Sequence, residues 1–259
     1  MKNFSNLIFF VIFLFPFCSC SIKESRDSCP CLLLLEFEDR NMPETESLDL
    51  MVFSQGDYVW TDTVSISDTM TQYAVRVPKI ELHVGVWAGL SGRDTSGGLD
   101  IPLGCECPKV YMYDADMVAA GETVAEKVVL RKNHCVLTVL TKGGNDFPFR
   151  MKVTGNVSGY SRDGRPVSGE FSYYLPKRAP GNEFSVVLPR QADSSLMLHV
   201  EDSDNNVKSF SLGHYIAESG YDWSAPDLED VTVTIDYALT EISLSVAGWD
   251  EVYSYDMVF

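Results

Sequence analysis

CVLTVLT (residues 135–141) and CLLLLEF (residues 31–37) decide the fold. Each sets a cysteine at the head of an apolar run too short for an ordinary helix, as a strand inside a sheet requires. The pair looks like the opening strands of two similar units. It places the boundary between them near residues 131–133.

Segments of the same kind fill the chain on either side. Apolar or alternating runs occur at residues 32–38, 48–53, 72–77, 79–87, 109–113 and 122–131. With no clear linker, a second series follows at 134–141, 147–153, 168–174, 183–188, 195–201, 207–212, 231–237 and 241–248. Gly, Asp, Asn, Ser and Pro punctuate both series, while helical periodicity is confined to one short stretch, GHYIAESG at 213–220. The expectation is an all-β chain with two tandem β-sandwich domains, 30–130 and 131–259.

The first thirty residues set the compartment. Residues 7–17, LIFFVIFLFPF, follow a single early charge, Lys2. This apolar core is too short to span a hydrocarbon layer of ~30 Å and has the form of an export signal. Its end, Phe17-Cys18-Ser19-Cys20, resembles a bacterial lipobox in which Cys20 is the acylated residue. Bulky Phe17 before Cys18 excludes the earlier cysteine. Residues 1–19 are thus expected to be a signal peptide and residues 20–29 a lipidated tether. Each buried methylene adds about 0.8 kcal/mol, so two or three chains hold stably where one does not.

The chain has 259 residues and a formal charge of -17. Removing residues 1–19 takes away only Lys2, so the mature chain is more acidic still. Such a surface excludes nucleic acid and flat docking on anionic lipid, both of which need a basic face.

After Cys20, five cysteines remain: Cys29 and Cys31 in CPC, Cys105 and Cys107 in CEC, and Cys135. Zinc ribbons use C-x2-C spacing and exported proteins meet an oxidising compartment, so disulfides between the two pairs are expected rather than a metal site. A bridge from CPC to CEC would close about seventy-five residues, a constraint of about 4 kcal/mol. Cys135, inside an apolar strand, is expected to be a small buried hydrophobe.

Nothing in the sequence carries catalysis. His83, His134, His199 and His214 stand singly, and there is no G-x-S-x-G, no H-E-x-x-H and no phosphate-binding glycine loop. No catalytic residue, metal or cofactor is expected. Asp202, Asp204 and Asn206 have calcium-loop spacing, but Val207 stands where that loop needs glycine, so a hairpin turn is the better reading. Asp62-Thr63-Val64 and Asp68-Thr69-Met70 match a short O-glycosylation pattern. Among the tryptophans, Trp87 and Trp249 are expected in the core, which leaves Trp60 and Trp223 for a sugar platform.

Three stretches together resemble the FimB/Mfa2 family of fimbrial subunits: SIKESRDSCPCLLLLEFED after Cys20, VVLRKNHCVLTVLTKGG, and LGHYIAESGYDW through VAGWDEVYSYDMVF. The second cysteine of each C-x-C pair departs from the family pattern. The resemblance implies two transthyretin-like sandwiches, a lipid anchor in the outer membrane, and assembly with the fimbrial stalk subunit by strand addition; the polar SIKESRD after Cys20 is compatible with exposure at the cell surface. The ending suits a donor strand, because Tyr253, Tyr255, Met257 and Phe259 share one aromatic and apolar face. The same residues would also serve as the last strand of the chain's own second domain. The leading function is a lipid-anchored fimbrial subunit holding a type V pilus to the outer membrane. The alternatives are a surface glycan-binding lipoprotein and an accessory or tip adhesin of the same pilus.

Overall fold

A computed structural model describes residues 29–37, 47–65, 71–90, 93, 97–142, 149–178, 182–202, 204–236, 241–246 and 252–256. The expectations for Cys20, Asp68 to Met70, Trp249, Met257 and Phe259 lie outside the described residues. The first half of the chain runs β1 (Cys31–Phe37), β2 (Ser47–Ser54), β3 (Asp57–Ser65), β4 (Gln72–Val77), β5 (Glu81–Ala88), β6 (Leu99–Asp100), β7 (Tyr111–Val118), β8 (Thr123–Val128) and β9 (Arg131–Lys132). The second half runs β10 (His134–Lys142), β11 (Arg150–Tyr160), β12 (Pro166–Tyr174), β13 (Lys177–Arg178), β14 (Glu183–Pro189), β15 (Met197–Glu201) and β16 (Val207–Phe210). It ends with α1 (Leu212–Glu218), β17 (Val231–Asp236), β18 (Glu241–Val246) and β19 (Val252–Asp256).

The strands form four sheets. In the first half, a three-stranded sheet ordered β4-β1-β8 faces a five-stranded sheet ordered β3-β2-β5-β7-β9. In the second, a six-stranded sheet ordered β13-β14-β10-β17-β18-β19 faces a sheet ordered β12-β11-β15-β16, with β6 also paired to β11. The two cysteine-led strands hold equivalent positions. β1 is antiparallel to β4 and parallel to β8; β10 is antiparallel to β14 and parallel to β17. An interior strand with a parallel neighbour is shielded from water, which is why both read as nearly unbroken apolar runs.

Two cores follow from the alternation of side chains along these strands. The first gathers Leu33 and Leu35 of β1, Leu48, Leu50 and Val52 of β2, and Leu82, Val84 and Val86 of β5. The second gathers Leu137 and Val139 of β10, Val231 and Val233 of β17, and Met151 and Val153 of β11. It also takes Met51, Phe53, Trp87 and Met112, which stand on the other face of the five-stranded sheet. That sheet is therefore apolar on both sides, and one end of its outer face is closed by the second half of the chain. Each such side chain contributes about 1.5–3 kcal/mol by leaving water.

A strap from Leu90 to Val110 also belongs to the second core, although it precedes the expected boundary. It buries Leu90, Leu99, Ile101, Cys107 and Val110 there. Its backbone is tied across the sheets: Ile101 donates to the Ser158 carbonyl, Gly104 to Ser172 and Cys107 to Val187. The contact between β6 and β11 depends on Gly159, at φ +156°, where an added Cβ would lie 1.9 Å from the Leu99 carbonyl oxygen. Any side chain there would push the strap away.

Candidate functional site

The five described cysteines are free thiols, with Cys29 and Cys105 exposed and Cys31, Cys107 and Cys135 buried. The staple expected between the CPC turn and the CEC loop is not made in the structure. Cys31 is embedded in the first core and Cys107 in the second, which keeps the inner members of the two pairs apart. Cys135 is the buried hydrophobe expected, its thiol pushed up to about 12 mainly by burial. A thiol so disfavoured as thiolate is inert.

Three of the histidines make structural contacts. His199 Nε2 meets the Thr154 hydroxyl at 2.9 Å and Nδ1 meets the Ser209 hydroxyl at 2.7 Å. His134 is buried with Nδ1 3.0 Å from the Val110 carbonyl oxygen, and burial lowers its pKa to about 4. His214 forms an i,i+4 pair with Glu218 at 3.1 Å. The residues with calcium-loop spacing make a hairpin turn between β15 and β16, in which Asp202 accepts from the backbone of Asp204 and Asn206. Trp87 is fully buried. Trp60 packs against Tyr73 in the first half and Trp223 against Tyr221 in the second, so the two do not form one platform. Thr63 is exposed on β3, with its hydroxyl bonded to Asp49 at 2.8 Å.

The segment after α1 has a role that the sequence did not reveal: it locks the joint between the halves. Arg190 donates from Nε to Asn133 Oδ1 at 2.9 Å, and from its terminal nitrogens to the carbonyls of Trp223, Ala225 and Pro226. Tyr160, from β11, donates its hydroxyl proton to the Asn133 carbonyl and accepts from the Arg190 amide at 2.6 Å. Asp227 pairs with Arg131 at 2.8 Å and receives the Lys132 amide. Asp230 pairs with Lys132 at 2.6 Å and receives the Val136 amide. Residues 221–230 thus wrap the crossing from β9 to β10. These bonds tie the second half to β9 of the first.

The sheet edges offer backbone groups for contact with another molecule. Residues 252–256 of the expected donor segment form β19, antiparallel to β18, with Leu244 opposite Tyr253 and Ile242 opposite Tyr255. β19 is the last strand of the six-stranded sheet among the described residues. This is the arrangement of the chain's own final strand, and its outer side is a sheet edge. On the first half, β9 pairs only with Tyr111 and Met112 of β7. At the far end of β7, an open cleft of about 1580 Å³ lies between the outer face of the five-stranded sheet and the turn at residues 161–165, with Phe53, His83, Asp116 and Val118 among its lining.

The family of Fimbrillin-A associated anchor proteins Mfa1 and Mfa2 matches residues 26–255. The chain belongs to that family. Its role is accordingly fimbrial and its place is the cell envelope. A Bacteroides thetaiotaomicron protein, described as a candidate polysaccharide binder, shares the fold with a TM-score of 0.66 at 14% identity, over 87% of this chain and 98% of its own. The fimbrial anchor protein Mfa2 from Porphyromonas gingivalis follows at 0.62 and 12% identity, over 85% and 98%. A candidate adhesin from Bacteroides thetaiotaomicron reaches 0.59 at 14% identity, over 89% and 99%. A search of curated proteins found no match.

Proposed function

We propose that this chain is a lipid-anchored fimbrial subunit that holds a type V pilus to the bacterial outer membrane. Cys20 carries the lipid, two sandwich domains follow it, and a neighbouring stalk subunit joins by strand pairing at an exposed sheet edge. The observation that carries this reading is the family match across residues 26–255, together with a terminal strand, β19, that lies at the end of its sheet. An edge strand presents unpaired N–H and C=O groups, which another extended chain can satisfy. The locked joint supports a part that bears load between membrane and filament.

The role of the terminal strand is tested by deleting residues 252–259 from the mature protein and measuring its binding to the purified stalk protein. Lost binding by a folded truncation supports the strand's part in assembly. Undiminished binding removes it. The adhesin reading rests on the likeness to the Bacteroides thetaiotaomicron structures, and differs in placing the chain at the free end of the filament.

A further inference from the structure

The structure assigns a second strand-binding edge, β7, to an extended partner segment that alternates basic and apolar residues. β7 belongs to the five-stranded sheet, and only its first two residues are covered by β9. Beyond them the chain runs between β8 and β9 and so leaves for the other sheet, with no strand lying opposite Tyr113 to Val118 among the described residues.

The direction of the free backbone groups follows from two hydrogen bonds. Val110 turns its carbonyl outward to the Asn133 amide beside β9, and Ala119 turns its amide inward to the Ile80 carbonyl beside β5. By alternation along an antiparallel strand, the residues that direct N–H and C=O to the outer side are Asp114 and Asp116. They offer two donors and two acceptors to an incoming strand.

The side chains state what that strand must carry. Asp114 and Asp116 are exposed on one face, and Asp116 is held in place by His83 Nδ1 at 2.7 Å. Asp57 and Glu81 line the same cleft, while its arginines are engaged: Arg165 pairs with Asp163 at 3.1 Å, and Arg162 lies over the Tyr58 ring and donates to the Gly56 carbonyl. Asp57, Glu81, Asp114, Asp116 and Asp163 outnumber Arg162 and Arg165 in this cleft, so the face is net acidic. On the other face, Tyr113, Ala115 and Met117 are half-buried, and Tyr113 and Met117 pack against the first core. A strand hydrogen-bonded to Asp114 and Asp116 places its own paired residues on the acidic face and the intervening ones on the apolar face. Lysine or arginine suits the first set, and valine or another apolar residue the second. Acidic residues on an edge also discourage self-association, which is consistent with a site kept for a basic partner. That this partner is a fimbrial protein rests on the proposed function; the chemistry of the edge does not.

The test uses the whole mature protein and a fluorescent peptide alternating lysine and valine, followed by anisotropy. The peptide is expected to bind, its glutamate-valine counterpart not to bind, and the Asp114→Asn/Asp116→Asn variant to bind about tenfold more weakly. Methylating the backbone amide nitrogens of the peptide's lysine residues removes the donors that face β7 and needs no variant; it should abolish binding. Equal binding of the methylated or the acidic peptide, or self-association of the protein without peptide binding, overturns the assignment. Cells carrying Asp114→Lys/Asp116→Lys separate the two claims. Fimbriae still held by a protein that no longer binds peptide overturn the fimbrial identity of the edge's partner and leave the edge assignment standing, whereas no fimbrial protein on the wild type overturns the fimbrial reading.

Discussion

Replacing Arg190 by methionine should loosen the clamp around Asn133, at the crossing between the two halves. The guanidinium makes its bonds to Asn133 Oδ1 and to the carbonyls of Trp223, Ala225 and Pro226 from a half-buried position. A hydrogen bond to a charged group contributes about 1.5–3 kcal/mol, but the Pro226 contact is long at 3.4 Å and water can reach part of the site. Desolvation also lowers the Arg190 pKa, so burial opposes part of the gain. The net loss expected is about 2–4 kcal/mol, or a fall in melting temperature of about 5–15 °C for a chain of this size. Urea unfolding monitored by circular dichroism and by tryptophan fluorescence reads it, because Trp223 reports on the clamp and Trp87 on the second core. Arg190→Lys, which keeps the charge without the fork, should recover only a minor part. A loss below about 1 kcal/mol, or full rescue by lysine, would refute the clamp.

Other outcomes follow from the same geometry. Gly159→Ala should destabilise by about 2 kcal/mol or more, since its Cβ would meet the Leu99 carbonyl, and proteolysis should then begin within residues 90–110. His134, surrounded by Lys109, Lys132, Asp230 and the Val110 carbonyl, has its pKa lowered from 6.5 to about 4 by burial. The unfolded chain therefore binds more protons between those values, and stability present above pH 6.5 falls as the pH drops toward 4, by up to about 3 kcal/mol. His134→Gln should flatten that slope in pH-dependent urea titrations. With a maleimide probe, Cys29 and Cys105 should label in the native protein, while Cys31, Cys107 and Cys135 label only after unfolding. Protection of Cys29 and Cys105 that reductant removes would show that the native protein is bridged.

The sequence disclosed the interior strands best, because each has at least one face buried in a core. β14 is buried on both faces and reads as a nearly unbroken apolar run, whereas β10 and β17 alternate buried apolar residues with half-buried ones such as Thr138, Thr232 and Thr234. β3 was missed, and of β7 only the first residues were found. Both carry Asp and Thr or Asp and Ala where water covers one face, and an edge strand needs less apolar surface to hold its place. β6 has only two residues and exists because β11 lies beside it, some sixty positions later. The joint was invisible for a similar reason: Asn133, Tyr160, Arg190 and the carbonyls near Ala225 are distant in sequence and share no periodicity. The C-x-C spacing suggested a staple, but it does not tell that Cys31 and Cys107 turn into separate cores. Asp114 and Asp116 could have been noticed in YDADMV, where acids alternate with apolar residues at the period of a strand.

The central claim is the anchored fimbrial role, and mass spectrometry of the native cell envelope after mild crosslinking tests it most directly. The account predicts a mature amino terminus at Cys20 bearing fatty acyl groups, and crosslinks from this chain to a fimbrial stalk protein. An unacylated chain that begins at another residue and crosslinks to no fimbrial protein would contradict it.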